Sequence, residues 1–255
     1  MSAGTGTEEY YRRWAPEYDE VYTRPERQGD MLAVRTRLTS WFAGKRVLEL
    51  AAGTGWWTSV LADTAASVTA TDVNQAALDV ARARRAWPPS VGFAVADALD
   101  PRAVAGEFDA AFAGFFWSHV PLAKIDAFLG GLMRRVLPGS LVVFADNRLV
   151  PGSVHPVVRR DEQGNTYQRR RMNDGRSWDV LKNFPEPDQV CARLNRFGRS
   201  AAVEELDNYW LAWCRGPGSS RLAAGVRSGP VCGVAAQPGN CSLPVGSMCW
   251  TWFID

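Results

Sequence analysis

The sequence predicts an α/β fold: a doubly wound, mostly parallel seven-stranded sheet with helices on both faces. Short apolar segments that are typical of buried strands alternate with segments of helical periodicity between residues 47 and 148. The strand at 68–72 and the strand at 91–98 each carry an Asp at or near their end, and the strand at 47–50 leads into a turn that contains glycine. Because alternating strands and helices form a parallel sheet, a ligand is expected above the carboxyl ends of the strands.

The elements follow in a regular order along the chain. Each predicted strand is a short run rich in Val, Leu, Ala or Phe, and each predicted helix has apolar residues at helical spacing. Asn74 is expected to cap the helix that follows it, and Pro138-Gly139 is expected to end another helix. The predicted strands cover residues 47–50, 68–72, 91–98, 108–114 and 141–146, and the predicted helices cover residues 30–42, 56–62, 74–85 and 122–137.

The segment after the fifth strand departs from this alternation. Residues 157–160 and 166–170 flank a turn-rich loop that contains Gly164, which predicts a β-hairpin inserted after the fifth strand. Residues 177–183 can add a third short strand. The arginines of this insertion suit a nucleic acid, but the acidic residues of its loop offset part of their charge.

The remaining chain completes the sheet and then changes character. Residues 186–197 predict a helix, and residues 201–205 and 209–215 predict an antiparallel pair of strands. One domain is therefore expected to span residues 1–215. Residues 216–255 are rich in Gly and Pro and lack periodicity, so we predict that they form an extension that the fold does not need.

Charge and hydropathy argue against several classes of function. The formal net charge of +2 predicts no long-range attraction to nucleic acid or to an anionic membrane. The chain has no apolar run of the ~18 residues that a membrane span needs, and its first residues are polar and acidic rather than signal-like. We therefore expect a cytoplasmic protein that binds neither nucleic acid nor a membrane. The sequence leaves its oligomeric state open, with a dimer as one option.

The turn after the first strand carries the main functional signal. Glu49 lies in the strand, and residues 51–55 (Ala-Ala-Gly-Thr-Gly) follow it before the bulky Trp56 and Trp57. A dinucleotide-binding turn needs a third glycine where the helix packs on the strand, and that glycine is missing. The segment instead resembles motif I, (D/E)-x-G-x-G-x-G, of the class I S-adenosylmethionine-dependent methyltransferases. Ala51 replaces the first glycine, at a cost of about 1–2 kcal/mol if this position needs a positive φ.

The resemblance implies that S-adenosylmethionine is bound at the strand ends, with S-adenosylhomocysteine as its product. Asp72 stands where a ribose diol finds a carboxylate acceptor. Asp97 stands where the family has an acceptor for the adenine amino group. The predicted cofactor-binding residues are Tyr11, Glu49, Ala51, Gly53, Gly55, Thr58, Asp72, Val73, Asp97, Ala98 and Gly114.

The same resemblance implies where the acceptor substrate lies. Residues 7–22 resemble the N-terminal lid helix of small-molecule methyltransferases, in which Tyr11 would reach the methionine carboxylate; the alternative is an aromatic face packed on the core. The insertion at 148–185 would lie over the pocket and select the substrate. Trp56, Phe115 and Trp117 are placed to contact the sulfonium by cation–π interaction; the alternative for each ring is ordinary packing in the core. The predicted substrate-binding residues are Tyr18, Phe115, Trp117, Asn147 and Arg148.

His119 is the candidate catalytic residue. It follows the fourth strand and is one of only two histidines in the chain. An imidazole at this place could take a proton from the acceptor at neutral pH, in which case its removal would cut turnover by about 100-fold. The alternative is a structural ring that forms a hydrogen bond where the next helix begins.

We therefore expect methyl transfer to an O, N, S or C atom of a small, aromatic or heterocyclic metabolite. Two alternatives stay open: a methyltransferase for RNA or protein, favoured by the arginines of the insertion, and a non-catalytic cofactor-binding module, suggested by Ala51. No metal is expected. Asp146-Asn147 resembles the Mg²⁺ ligands of catechol O-methyltransferases, but residues 113–116 lack the carboxylate that such a site also needs.

Overall fold

The structure is a computed structural model that describes residues 19, 22–171 and 175–218. The predicted site residues Tyr11 and Tyr18 lie outside the described residues, as do nearly all of the predicted lid helix and the tail beyond residue 218. The division of the chain at residue 215 therefore stays a prediction.

Ten strands are described, and seven of them form one sheet. The strands are β1 (Arg46–Leu50), β2 (Ser67–Asp72), β3 (Val91–Val95), β4 (Phe108–Gly114), β5 (Val136–Asn147), β6 (Val157–Arg160), β7 (Thr166–Arg171), β8 (Ser177–Leu181), β9 (Arg199–Glu205) and β10 (Tyr209–Arg215). The main sheet has the order β3-β2-β1-β4-β5-β10-β9. Strands β1 to β5 run parallel, and β10 is antiparallel to both β5 and β9. The predicted mostly parallel seven-stranded sheet is confirmed.

Helices cover both faces of this sheet. The described α-helices are α1 (Gln28–Trp41), α2 (Trp56–Ala62), α3 (Gln75–Ala83), α4 (Ile125–Met133) and α5 (Pro187–Phe197). Asn74 caps α3 as predicted, because its side chain accepts a hydrogen bond from the backbone N–H of Ala76. The buried residues form two clusters, one with Leu48 and Leu50 and the other with Val47, as the alternation of side chains along β1 requires.

The helix predicted at residues 122–137 is shorter than expected. Its first turn, Leu122–Lys124, is a 3₁₀ helix, and α4 ends at Met133. The strand that follows begins at Val136, which pairs with Phe108 in the neighbouring strand. Two adjacent glycines near the end of α4 weaken the helix, whereas a buried β-branched residue such as Val136 favours pairing in the sheet. The prediction of residues 134–137 as helix was wrong for this reason.

The insertion after β5 forms a second sheet of three antiparallel strands, β6-β7-β8, as predicted. Asp161 organises the loop between β6 and β7, since it accepts hydrogen bonds from Gln163 N, Asn165 N and the Tyr167 hydroxyl. Asn165 then accepts from the backbone N–H of Leu122, at 2.8 Å, and so fixes the loop to the segment after β4. In the part of the chain that the structure describes, no helix is long and apolar enough to cross a membrane.

The turn after β1 has a left-handed backbone at three positions. The φ angle is 51° at Ala51, 57° at Gly53 and 78° at Gly55. The strain expected at Ala51 is therefore present. At Gly55 a Cβ would lie 2.9 Å from the Cβ of Ala81 in α3, so a side chain is excluded by contact as well as by φ.

Two substitutions in this turn should change stability in opposite directions. Ala51→Gly removes strain of about 1–2 kcal/mol, while the added freedom of the unfolded chain offsets about 0.4–1 kcal/mol. We expect Ala51→Gly to raise the free energy of unfolding by up to about 1 kcal/mol, whereas Gly55→Ala should lower it by about 2 kcal/mol or more. Urea denaturation of both variants measures this. A destabilised Ala51→Gly variant would contradict the assigned strain.

Candidate functional site

A large cavity lies at the carboxyl ends of the parallel strands. Its volume is about 1540 Å³, and its wall includes Glu49 of β1, Asp72 of β2, Gly114 of β4 and residues 159–163 around the loop between β6 and β7. Pockets for one small ligand usually have about 300–1,000 Å³. The cavity is therefore large enough to hold two small molecules side by side, at the edge of the sheet where the sequence places the site.

Asp72 fixes the turn after β1. One carboxylate oxygen accepts from the backbone N–H of Gly53 and the other from that of Asn74, each at 2.8 Å. Burial raises the pKa of Asp72, and these backbone donors oppose that rise. Each carboxylate oxygen has a second lone pair. Because Asp72 also lies in the cavity wall, it can hold the turn and still accept from a ligand.

Glu49 is buried and its carboxyl group is held by Thr58. The Thr58 hydroxyl donates to it at 2.6 Å. Burial raises the pKa of Glu49 to about 8, with a smaller contribution from the charge of Asp72, so the group is mostly protonated at neutral pH. Thr58 itself is fully buried and lies outside the cavity wall. The sequence prediction that Thr58 contacts the cofactor is therefore corrected: its contact is with Glu49.

Of the other described residues predicted to bind the cofactor, Gly55 lies outside the cavity wall and the rest lie in it. Gly55 packs against α3 and lies outside the cavity wall, which corrects its predicted role as a direct contact. The side chain of Asp97 accepts from the backbone N–H of Leu99 at 2.8 Å, next to the wall formed by β2 and β3. The predicted residues that the structure brings together in the wall are Glu49, Ala51, Gly53, Asp72, Val73, Asp97, Ala98 and Gly114.

Four aromatic rings form part of the cavity wall. Tyr22 stacks on Trp56 with ring centroids 5.0 Å apart, and Phe115 stacks on Trp57 at 5.9 Å. All four side chains lie in the cavity wall. Phe115 has a φ of 58°, which is a strained backbone for a bulky residue, and its backbone N–H donates to Ala145 O. The sequence indicated Trp56 and Phe115 but not Tyr22 or Trp57.

Three residues predicted to bind substrate point elsewhere. Trp117 is buried and packs on Phe144, with ring centroids 5.0 Å apart, so it belongs to the core. The side-chain amide of Asn147 donates to Asp146 at 3.1 Å. Arg148 forms an ion pair with Glu205 at 2.6 Å. None of the three lies in the cavity wall, because Trp117 is in the core, Asn147 contacts Asp146 and Arg148 reaches Glu205 in β9.

His119 lies in the cavity wall beside a buried ion pair that the sequence did not reveal. Lys182 Nζ lies 3.1 Å from Asp146 Oδ1 and 3.5 Å from His119 Nε2. Burial and the charge of Lys182 lower the pKa of His119 to about 3. A neutral imidazole with so low a pKa is a poor base. Lys182 directly follows β8, and no sequence pattern indicates its role.

Comparisons with known proteins agree with this geometry. A family profile described as a methyltransferase domain matches residues 47–139. A demethylmenaquinone methyltransferase from Clavibacter sepedonicus is 34% identical over 154 residues; the match covers 56% of this chain and 60% of that relative, so the chain spans less than two thirds of its length. The solved complex of DhpI with SAH is 32% identical, with a TM-score of 0.70, and the match covers 86% of this chain and all of that one.

The chain belongs to the class I S-adenosylmethionine-dependent methyltransferases. A second solved structure, of DhpI with SAM and HEP, is 29% identical with a TM-score of 0.68, and the match covers 83% of this chain and 99% of that one. The resemblance inferred from the turn after β1 is thereby confirmed. The cofactor of this methyltransferase is S-adenosylmethionine.

One further contact ties the N-terminal segment of the methyltransferase to the turn after β1. Asp19 accepts from the Thr54 hydroxyl at 2.6 Å and forms an ion pair with Arg84. Arg84 Nε donates to Thr54 O at 2.8 Å, and its guanidinium lies 5.6 Å from the ring centroid of Trp56. Among the described residues, no group of three or more His, Cys, Asp or Glu side chains is placed to hold a metal ion.

The raised pKa of Glu49 predicts a pH dependence of stability. The pKa is about 8 in the folded protein, against an ordinary value of 4.5. The folded state therefore binds more protons than the unfolded state between these values, and the free energy of unfolding should fall by up to a few kcal/mol as the pH rises through this window. Glu49→Gln keeps an acceptor for Thr58 without the ionisation, so it should be more stable than wild type at pH 8.

Urea denaturation at several pH values between 5 and 8 tests this. The exposed Glu26 supplies the control variant Glu26→Gln, which should follow the wild-type pH dependence. Parallel pH profiles for wild type and Glu49→Gln would contradict the assignment of a buried, protonated Glu49.

Proposed function

We propose that the chain transfers the methyl group of S-adenosylmethionine to a small molecule bound at the aromatic end of the cavity. The observation that supports this most directly is the cavity itself. Its wall contains the acids Asp72 and Asp97 as well as Tyr22, Phe115 and His119, and its volume of about 1540 Å³ exceeds what one ligand needs. The cofactor would lie against the acids and the acceptor against the rings.

The polar end of the cavity suits an adenosine. The carboxylate of Asp72, which faces the backbone N–H groups of Gly53, Asn74 and Val73, would also accept from the ribose, and Asp97 with Val73 and Ala98 would hold the adenine. The backbone of Ala51 and Gly53 would lie along the methionine part, with Glu49 behind it. Tyr11 is expected to contact the methionine carboxylate, and it stays a prediction because it lies outside the described residues.

The aromatic end suits a cation and an apolar acceptor. When bound, S-adenosylmethionine supplies an electrophilic methyl group on a positively charged sulfur. The rings of Tyr22, Trp56 and Phe115 offer π faces that attract such a charge. The rings also exclude water. The main task of the protein is then to hold the acceptor close to the methyl group. Phe115 is held by Trp57 on one side and by Tyr209, 4.9 Å away, on the other, which fixes its ring.

The acceptor is proposed to be a small, aromatic or heterocyclic metabolite rather than RNA or protein. The loop between β6 and β7 forms one wall of the cavity and is fixed by Asn165, which narrows access for a large substrate. Two arginines of the insertion have an acidic neighbour: Arg159 and Arg169 both lie within 4.0 Å of Asp179. This arrangement offers little unpaired charge for a phosphate backbone. The cytoplasmic location also stays a prediction of the sequence.

A screen of a metabolite extract tests the proposed function. The purified protein is incubated with the extract and S-adenosylmethionine that carries a deuterated methyl group, and products are found by their mass shift. We expect labelled small molecules that are absent when Asp72→Asn replaces the wild type. Labelling of bulk RNA or protein alone, at both low and high salt, would contradict the proposal.

We expect the main effect of replacing the Asp72 carboxylate to be weaker binding of the cofactor. Asp72→Asn replaces one acceptor oxygen by a donor that faces a backbone N–H, and a hydrogen bond to a charged group contributes about 1.5–3 kcal/mol. We expect the Kd for S-adenosylhomocysteine to rise by about 10-fold or more, measured by calorimetry. Asp79→Asn, also in the cavity wall but exposed and paired with Arg82, should change it by less than about 2-fold. Equal effects of both variants would contradict this role of Asp72.

A further inference from the structure

The ion pair of Asp146 and Lys182 is buried beside His119, which itself lies in the cavity wall. Lys182 has 4% of its side chain exposed and Asp146 has none. Asp146 also accepts from the backbone N–H of Ser118 at 2.8 Å, from the Ser118 hydroxyl at 3.0 Å and from the backbone N–H of Asn147 at 2.7 Å. Because its acceptor sites are occupied, the carboxylate stays ionised. Lys182 is therefore held as its buried counterion.

The contacts of His119 define its tautomer. Nδ1 lies 2.7 Å from the backbone carbonyl oxygen of Leu181. A carbonyl oxygen can only accept, so Nδ1 must carry the proton. In a neutral ring Nε2 then carries the lone pair, and this atom lies 3.5 Å from the ammonium of Lys182. Both ring nitrogens are thus engaged by the protein, one as a donor and one as an acceptor.

We propose that Lys182 is a positioning residue that holds His119 as a neutral, fixed hydrogen-bonding group, and that the acceptor therefore enters in a form that needs no proton removed by His119. The statement about the acceptor rests on the proposed function, whereas the statement about Lys182 and His119 does not. It assigns a role to Lys182 and Asp146 and replaces the general-base role that the sequence predicted for His119.

The class of acceptor follows from the bonds made and broken. The S–CH₃ bond breaks with its electron pair left on sulfur, so the sulfonium becomes a neutral thioether. The new bond uses a lone pair of the acceptor atom, which gains one positive charge. An acceptor that is already ionised, such as an acidic hydroxyl or a thiolate, ends neutral, and an unprotonated nitrogen ends as a cation. An alcohol or an amide must lose a proton when it is methylated, so such an acceptor would need a base other than His119.

The positively charged groups around the ring outweigh the negatively charged one in their effect on its pKa. Besides burial and Lys182, the guanidinium of Arg170 lowers the pKa of His119, while Asp146 and the carbonyl of Leu181 act to raise it. The second histidine, His155, has its pKa lowered by burial and then by Arg170, Arg24 and Arg27, with no contribution from Lys182. His155 therefore serves as an internal reference for any change made at Lys182.

Nuclear magnetic resonance of the full-length protein with ¹⁵N-labelled histidine tests the proposal. The chain has two histidines, and His155→Gln assigns their signals. We expect His119 in the wild type to remain neutral, with the proton on Nδ1, from pH 8 down to about pH 4.5. In Lys182→Met the unpaired carboxylate of Asp146 should raise the pKa of His119 to above about 6, while His155 does not change. Lys182→Arg should resemble the wild type.

Several results would overturn the proposal. One is a wild-type His119 that titrates near its ordinary pKa of about 6.5 or has its proton on Nε2. Another is a His119 pKa that is the same in Lys182→Met and wild type. If Lys182→Met does not fold, the tautomer and titration of the wild type and of Lys182→Arg decide the question.

A kinetic measurement tests the consequence for the reaction. In the metabolite screen, His119→Gln should lower the rate of product formation by less than about 10-fold, because no proton transfer is lost. A general base would contribute about 100-fold or more, and a loss of that size would restore the base role. The absence of product with the wild type would instead count against the proposed function and leave the resonance test of Lys182 unaffected.

Discussion

The geometry of the site depends on the carboxylate of Asp72, which holds two backbone segments at once. It accepts from Gly53 in the turn after β1 and from Asn74 at the start of α3. The ends of β1 and β2 are adjacent in the parallel sheet, so one side chain can reach both. This contact keeps a turn with three left-handed residues in a single conformation. The cavity beside it owes its shape to that turn.

The acids near the cavity have different charge states because their surroundings differ. The carboxyl group of Glu49 accepts a hydrogen bond from the Thr58 hydroxyl. Burial and the nearby charge of Asp72 raise its pKa, so the group is mostly protonated. Asp146 has an ammonium and backbone donors, and despite its burial its pKa lies below the usual value because Lys182 and the backbone N–H groups of Ser118 and Asn147 lower it. The cavity wall therefore contains a neutral acid at Glu49 and a neutral imidazole at His119, and the imidazole lies beside an ion pair.

The sequence predicted the backbone of the site better than its side chains. Strand ends can be inferred from local periodicity, so the amino-acid pattern alone assigns Asp72, Asp97 and the turn at residues 51–55 to the ligand-binding edge of the sheet. Side-chain direction depends on pairing with distant strands. Trp117 and Arg148 were therefore predicted to face the substrate but instead pack on β5 and pair with β9. The prediction that α4 continues to residue 137 was wrong for the same reason, because pairing with β4 extends β5 toward its N-terminus.

The role of Lys182 could not be inferred from the sequence, because its partner Asp146 is 36 residues away and the two meet only through the insertion.

We expect the adenosyl cofactor to lie over the turn after β1. A crystal structure with S-adenosylhomocysteine tests it most directly. We predict ribose hydroxyls within hydrogen-bond distance of Asp72 and the sulfur facing Tyr22 and Phe115. A ligand bound away from this turn, or no ligand at saturating concentration, would contradict the account.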